Sequence, residues 1–240
     1  MTERGRGSLT AEAAALAIGP SSVAWDGDGL TVAVDEVTVP LPSRLRGSVR
    51  VRPEAVTTRS FELDEAGRHR WWPIAPHERA EVTFQNPSLS WSGPAYFDTN
   101  DGDEPLETAF SRWDWCGARL PDGAAVLYDV LHRNGGGRSI AIRVDRSGRT
   151  EDIEPPPPAS LPPTRWWRAP RRTRADAGHR PAVRLTMEDA PFYARSVLST
   201  HLVGQPVTAV HESLSLDRFA APWVQALLPF RMPRRAGRTA

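Results

Sequence analysis

Short segments in which apolar and polar residues alternate recur along almost the whole chain, separated by turns rich in glycine. Clear examples are residues 22–40, which alternate around the Asp-Gly-Asp-Gly turn at 26–29, and the two segments that flank the Asn-Gly-Gly-Gly turn at 134–137. A period of two places successive side chains on opposite faces of a strand. Turns of this composition join neighbouring antiparallel strands. The sequence therefore predicts an all-β protein.

Four segments depart from this pattern. Residues 154–164 contain six prolines in eleven positions, which predicts an extended, rigid strand connection outside any sheet. Residues 221–230 predict a C-terminal helix of moderate length, and the tail at 233–240 is expected to be frayed. Residues 9–18 fit either a helix or a strand. The remaining segments, including Arg165–Arg174, are predicted as strands.

The strands must close their sheets, because exposed sheet edges invite aggregation. A barrel is the expected solution, and a barrel of about eight strands has room for one small apolar ligand. A sequence of 240 residues is long enough for one large or two small domains.

The residues with the greatest chemical potential are concentrated between His69 and Trp115, a stretch with five of the nine tryptophans and eight carboxylates. Alternation in three short segments, HRW, YFDTN and WDW, aligns every second side chain, counted from the first residue of each segment, on one face. We predict that these strands line one aromatic cavity around Asp98, whose enclosed carboxyl is expected to keep its proton. The predicted site residues are His69, Trp71, Tyr96, Asp98, Asn100, Trp113 and Trp115.

Each of these assignments has a simpler alternative. Asp98 lies in a segment rich in turn formers and is also consistent with a solvated turn carboxylate. His69 is equally consistent with a hydrogen-bonded strand histidine, and Trp113 and Trp115 with core packing. The acidic run that follows Asp98 lacks the later glutamate of a calcium-binding loop, so the sequence predicts no metal site.

Composition limits the possible partners and compartments. The formal charge of +1 leaves no net field to attract a polyanion, and the single Cys116 excludes an internal disulfide framework. No apolar run is long enough for a spanning helix, and the N-terminus lacks the apolar segment of a signal peptide. We predict a cytoplasmic protein. The apolar, arginine-flanked residues 221–235 fit either a helix packed on a barrel or contact with the surface of the inner membrane.

Five segments together resemble the bacterial carotenoid 1,2-hydratases, also called hydroxyneurosporene synthases: HRWWPIAPH, LSWSGPAYFDTNDGDEPLE, FSRWDW, TMEDAPFYARS and HESLSLDRFAAPWV. The resemblance covers nearly the whole chain. It implies two lipocalin-like (calycin) β-barrel halves, with residues 1–92 as an incomplete N-terminal barrel and residues 93–240 as the C-terminal barrel with its terminal helix. Members of the family usually carry further sequence before the segment that begins this chain.

The resemblance also implies a reaction, the addition of water to the terminal C1–C2 double bond of an acyclic carotenoid such as neurosporene or lycopene, without cofactor or metal. Asp98 is expected to protonate the alkene as a general acid. Trp71, Tyr96 and Trp113 are expected to stabilise the tertiary cation through their π faces. His69 is expected to hold the attacking water and accept its proton. Trp115 and Asn100 complete the expected substrate pocket.

Three other functions stay open from sequence alone. A lipocalin-like carrier for an apolar polyene would show the same aromatic lining without chemistry, and a polyene cyclase would use a similarly shaped pocket. A nucleic-acid binder rests on Arg165–Arg174, where arginine and tryptophan interleave. The near-neutral charge argues against this last function, so we expect no nucleic-acid partner. The oligomeric state is left open.

Overall fold

The computed structural model describes residues 4–38 and 41–231, and within these ranges antiparallel β-strands dominate. The strands are β1 Leu9–Ala11, β2 Ala15–Ile18, β3 Ser21–Trp25, β4 Leu30–Val37, β5 Arg44–Val51, β6 Phe61–Glu62, β7 His69–Asn86, β8 Leu89–Gly102, β9 Phe110–Leu120, β10 Gly123–His132, β11 Gly137–Asp145, β12 Thr150–Asp152, β13 Pro158–Leu161, β14 Arg171–Arg174, β15 Ala182–Asp189, β16 Tyr193–Leu202 and β17 Gln205–Ser215. The helices are a 3₁₀ turn at Arg6–Ser8, α1 Leu106–Ala109, α2 Leu216–Phe219 and α3 Pro222–Arg231.

The chain forms two compact units that interleave along the sequence. The first unit contains the described residues up to Glu54, then Glu78–Tyr96, and the chain from Gln225. Its strands β1 to β5 pair in sequence order as antiparallel neighbours, and β5 also pairs with the second part of β7. The turn between β3 and β4 is closed by Asp26, whose carboxylate accepts hydrogen bonds from the backbone of Asp28 and Gly29 at 3.0 and 2.8 Å. This is the hairpin predicted from the Asp-Gly-Asp-Gly sequence.

The second unit contains Ala55–His77 and Phe97–Val224, and its main sheet has seven strands in the order β12-β11-β10-β9-β17-β16-β15. Neighbours in this sheet are mostly adjacent in sequence. The exception is the pairing of β9 with β17, which joins segments about a hundred residues apart and sets Trp115 opposite Glu212. A separate two-stranded sheet is formed by β13 and β14.

The two faces of the seven-stranded sheet have different compositions, because successive residues of a strand point to opposite sides. One face, here called the back face, carries small and aliphatic residues that form a buried core with Leu161 of β13. The members on the sheet include Cys116, Leu127, Leu198 and Ala209. The opposite face, here called the front face, carries the aromatic residues of β9 and β10 described below.

The structure confirms the predicted all-β class and the C-terminal helix at 222–231. It resolves residues 9–18 as the two strands β1 and β2. The tail at 233–240 lies outside the described residues. The division into barrel halves at residue 92 stays a prediction. Within the described part of the chain, no helix has the length and apolar character needed to cross a membrane.

Two predictions about local structure are wrong. Residues 158–161 of the proline-rich segment do pair, as β13. Pro158 is the first residue of this strand, and a two-stranded sheet has only edge strands, so its missing N–H is tolerated there. The predicted strand at 165–174 begins only at Arg171. The carboxylate of Asp189 accepts hydrogen bonds from the backbone N–H groups of Trp166 and Trp167, so these groups do not pair with a neighbouring strand.

Candidate active site

The central contact of the site joins Trp71 and Asp98. Trp71 is completely buried on β7, where its ring packs on Phe61 of the neighbouring strand at a centroid distance of 5.4 Å. Its indole N–H donates a hydrogen bond to Oδ2 of the partly buried Asp98 at 2.8 Å. Asp98 is therefore a fixed carboxyl held by an indole, and the alternative of a fully solvated turn carboxylate is excluded.

Tyr128 on β10 connects the other predicted residues to this pair. Its ring lies 5.0 Å from that of Trp71 and stacks on Trp113 at 5.8 Å. Its hydroxyl donates to Oδ1 of Asn100 at 3.0 Å. Trp71, Asp98, Asn100 and Trp113 thus gather around one tyrosine that sequence reasoning did not identify.

Cross-strand register explains why Tyr128 and Trp115 share the front face. Tyr128 pairs with Trp115 on β9, which pairs with Glu212 on β17, and directly paired residues point to the same side of a sheet. Trp115 is 8 % exposed, and its ring lies over Gly117, where an added Cβ would come within 2.5 Å of the indole. An aromatic residue in a strand predicted next to the Trp-Asp-Trp strand was the available signal for Tyr128.

Two carboxylates act electrostatically on Tyr128. Burial raises the pKa of its phenol, and the acidic side chains of Asp98 and Glu212 raise it further. Glu212 is itself paired with Arg195, whose Nε donates to Oε1 at 2.8 Å. Tyr128 is therefore a neutral phenol at physiological pH, and Glu212 is a second acidic residue of the site that the sequence did not reveal.

Tyr96 lies two residues before Asp98 on β8, so alternation directs both side chains to the same face of that strand. Tyr96 is partly buried, and it belongs to the first unit, whereas Asp98 belongs to the second. Its predicted part in the site stays a prediction.

His69 is almost fully buried, and each of its two ring nitrogens faces a hydrogen-bond acceptor. Nδ1 lies 2.8 Å from Oδ2 of Asp64, and Nε2 lies 3.1 Å from the carbonyl oxygen of Glu104. Gly102 gives the ring room, since a Cβ there would approach its Cδ2 to 2.7 Å. Neither nitrogen is placed to hold a water, so the geometry favours the hydrogen-bonded strand histidine over the predicted base.

Asp64 is an ionised anchor for this histidine. Although burial opposes it, hydrogen bonds from the His69 ring and from the backbone N–H groups of Arg68, His69 and Ala66 lower the pKa of Asp64. A carboxylate that accepts this many hydrogen bonds stays ionised and keeps its position. It fixes the start of β7, the strand that carries Trp71.

A polar cleft of about 370 Å³ opens beside Asp64 and Glu104. Charged side chains, among them Arg68, Glu104 and Arg133, line much of it. Such a lining does not suit a long apolar ligand, since buried charges need polar partners. We therefore place the candidate site at the Trp71–Asp98 pair and not in this cleft.

A second polar cluster lies on the back face, behind Trp115. Arg112 makes two hydrogen bonds of 2.8 Å to Asp114, which also accepts the hydroxyl hydrogen of Ser213. His211 is completely buried and its Nε2 donates to the carbonyl oxygen of Arg172 at 2.7 Å. Burial lowers the pKa of His211, so this ring is neutral. The cluster joins β9 to β17 and so stabilises the register that builds the front face.

Among the described residues, no cluster of three or more histidine, cysteine, aspartate or glutamate side chains has an arrangement that could hold a metal ion.

The fold resembles two solved structures at very low sequence identity. One is a protein assigned as AttH from Nitrosomonas europaea, with a TM-score of 0.57, 13% identity, and coverage of 88% of this chain and 72% of that one. The other is CghA, solved with Sch210972, with a TM-score of 0.53, 11% identity, and coverage of 84% and 70%. These similarities define the class: a predominantly antiparallel, lipocalin-like β protein, as predicted.

The family follows from sequence. The family model for carotenoid hydratase CrtC matches residues 1–240, and the chain belongs to this family. It is 55% identical over 237 residues to the acyclic carotenoid 1,2-hydratase of Thiocapsa roseopersicina and 47% identical to that of Rubrivivax gelatinosus. It is also 39% identical over 238 residues to the acyclic carotenoid 1,2-hydratase of Cereibacter sphaeroides.

The lengths of these relatives differ. The chain spans 58% of the Thiocapsa and Rubrivivax proteins and 85% of the Cereibacter protein. The matches cover 98 to 99% of this chain, and they therefore include every residue of the candidate site.

Proposed function

We propose that this chain catalyses the hydration of an acyclic carotenoid, adding water across the terminal C1–C2 double bond to give a tertiary alcohol at C1. Membership of the family and the names of its relatives support the substrate class. The observation that carries the mechanism is the hydrogen bond from the Trp71 indole to Asp98, set among the rings of Tyr128 and Trp113.

An isolated alkene is a very weak base, so the first step needs a well-placed acid. Asp98 supplies this proton in the proposed mechanism. Its Oδ2 is held by the Trp71 N–H, so we assign the transferable proton to Oδ1. The π electrons form a new C–H bond at C2, leaving a tertiary cation at C1 and a carboxylate at Asp98. The indole N–H then stabilises this carboxylate, because a hydrogen bond to a charged acceptor is stronger than one to a neutral acceptor.

The cation is stabilised by the surrounding rings and charge. Trp71, Tyr128 and Trp113 present π systems, and a desolvated cation–π contact contributes about 2 kcal/mol. Glu212 adds negative charge close to Tyr128. Because Oε1 of Glu212 is bound to Arg195, the carboxylate is restrained from attacking the cation itself.

Water completes the reaction. Its oxygen bonds to C1, and the proton it loses returns to the Asp98 carboxylate, which restores the acid for the next cycle. We assign His69 to positioning, because Asp64 and Glu104 occupy both ring nitrogens. Trp115 and Asn100 are proposed as further walls of the substrate pocket, and the part of Tyr96 stays a prediction from the sequence.

The direct test incubates the purified chain with neurosporene or lycopene in water enriched in heavy oxygen. A tertiary alcohol carrying the label is expected from the parent protein and from Asp103→Asn, an exposed neighbour of the site. Asp98→Asn should bind the polyene but form no alcohol. An unlabelled, cyclised product would show a cyclase, and binding without any product would show a carrier.

For location, we propose a cytoplasmic protein that meets its apolar substrate at the inner membrane.

A further inference from the structure

A group of exposed indoles includes none of the residues assigned to the site. Trp166 is 76% exposed, the highest value of any aromatic side chain among the described residues, and Trp167 and Trp223 are 38% and 49% exposed. The rings of Trp167 and Trp223 stack at 5.7 Å with an interplanar angle of 23°. We call these three side chains the indole surface. Grouped exposed aromatics of this size mark an interaction site more often than a chance exposure.

The backbone beneath the indole surface is firmly held. Asp189 accepts hydrogen bonds from the backbone N–H of Trp166 at 2.7 Å and of Trp167 at 3.3 Å. Arg218 donates to the carbonyl oxygens of Trp167 at 2.9 Å and of Arg168 at 3.3 Å. Arg168 adopts a φ of 49°, which is uncommon for a residue other than glycine. Two charged side chains therefore fix a loop whose own indoles face outward.

Arginines without an ion-pair partner among the described residues lie close to these indoles in the sequence. Arg165, Arg168 and Arg172 are exposed, and within the described part of the chain no carboxylate forms an ion pair with any of them. The guanidinium of Arg165 lies over the Trp166 ring at 5.3 Å. Of the nearby acids, Asp189 is engaged by the loop backbone and Asp217 is paired with Arg133. The indole surface therefore combines aromatic rings with the adjacent charge of Arg165, and Arg168 and Arg172 are two further exposed arginines of the same segment.

We propose that the indole surface docks this protein on an anionic lipid surface. Indoles partition to the interface between lipid and water, where the apolar ring and the N–H are both accommodated. The three arginines supply charge that complements lipid phosphates. Docking goes beyond the proposed reaction and is independent of it, although a polyene dissolved in a bilayer would become accessible from such a position.

Stacking of nucleic-acid bases is the other use of interleaved arginine and tryptophan. Base stacking needs free ring faces. Here Trp167 stacks on Trp223, and the guanidinium of Arg165 covers one face of Trp166. This arrangement favours lipid as the partner.

The binding test is co-sedimentation of the full chain with vesicles of phosphatidylcholine, with and without phosphatidylglycerol, in the absence of any carotenoid. We expect binding that requires phosphatidylglycerol. Trp166→Ser should lower the partition coefficient severalfold, and Arg165→Gln and Arg172→Gln should each lower it about fivefold at low salt. Trp91→Ser and Arg184→Gln are the matched controls, since Trp91 is 50% exposed in the first unit and Arg184 is exposed on β15.

Equal binding by the parent and Trp166→Ser would overturn the proposal. So would binding to a single-stranded oligonucleotide, lost in the same variants, in place of vesicle binding. Turnover separates this inference from the proposed function. Trp166→Ser should hydrate substrate in detergent micelles at the parental rate but hydrate vesicle-embedded substrate more slowly. Vesicle binding as expected with no hydration in either format would reject the hydratase and leave the docking surface standing.

Discussion

The indole N–H of Trp71 points at Oδ2 of Asp98 across 2.8 Å, and Trp71 itself is completely buried. A buried donor with one strong acceptor fixes the orientation of that acceptor. The proposed acid therefore has a defined direction before any substrate binds. Preorganisation of this kind lowers a barrier because the groups need no rearrangement during the reaction.

Trp71→Phe tests this orientation. The substitution keeps an aromatic ring but removes the N–H, so we expect turnover to fall by about 10-fold or more, as for loss of one hydrogen bond to a charged group. The measurement is the initial rate of hydration, with circular dichroism to check folding. Trp72→Phe is the matched control, since the Trp72 indole donates to Thr57 and not to Asp98. Similar losses in both variants would contradict a special part for the Trp71 N–H.

Asp64 and His69 should behave as one unit. Removing either partner leaves a buried polar group without its hydrogen bond, which costs about 1–3 kcal/mol. We expect Asp64→Asn and His69→Phe each to lower stability and turnover, and the double variant to be little worse than the poorer single variant. The measurement is a double-mutant cycle, applied both to the free energy of unfolding and to kcat/KM. If His69 were the base, His69→Phe would lower kcat far more than Asp64→Asn and would change the pH profile.

Glu212→Gln removes a negative charge while keeping the shape of the side chain. We expect hydration to slow by about 10-fold, which corresponds to about 1.4 kcal/mol in the barrier, because the cation loses a stabilising charge. Glu188→Gln is the control. Glu188 is exposed, and it pairs with Arg195 from the neighbouring strand β15, whereas Glu212 pairs with Arg195 from β17. An unchanged rate in Glu212→Gln would remove this residue from the mechanism.

The buried His211 ring is expected to make the stability of the fold depend on pH. Burial lowers its pKa in the folded state below its ordinary value of 6.5, so the unfolded chain binds the proton more readily. The stabilisation is therefore complete above about pH 6.5 and is lost as the pH falls below that value, with a slope of at most about 1.4 kcal/mol per pH unit. Melting curves from about pH 8 to about pH 5 measure it. The exposed His179→Gln should keep this slope, whereas His211→Gln should flatten it.

Cys116 should be inert in the folded protein. Burial raises the pKa of its thiol to about 12, from an ordinary value of 9.0, so the thiolate is scarce near neutrality. We expect a maleimide to label the native protein at least about 1000-fold more slowly than the unfolded chain. Mass spectrometry after timed labelling makes the measurement. Fast labelling of the native protein would show that the back-face core opens readily.

The sequence predicted those features of the structure that depend on the alternation of residues within a single strand. Alternation located most strands, and spacing within His69–Trp71 and Tyr96–Asn100 identified the two segments that supply Trp71 and Asp98. Tyr128 and Glu212 were missed because their proximity depends on which strands pair. The register of β9 with β17 joins residues about a hundred positions apart, and alternation within each strand carries no information on that choice.

The loop at Arg165–Arg168 was mispredicted for a related reason. Its alternating arginines and tryptophans fit the strand pattern, but Asp189, more than twenty residues later, bonds to two of its backbone N–H groups. A side chain from a distant segment thus decides the local conformation. The sequence of the segment shows its strand propensity but does not show that a distant side chain will form competing hydrogen bonds with its backbone.

Gly117 determines where the Trp115 ring lies on the sheet. The Trp115 indole rests on this residue only because it has no Cβ, and a methyl group there would collide with the ring at 2.5 Å. One atom at position 117 would therefore lift a large flat ring away from the sheet and make the space above it shallower. In the proposed hydratase, one substitution at position 117 would therefore reshape the substrate pocket while every residue proposed to handle the proton stays the same.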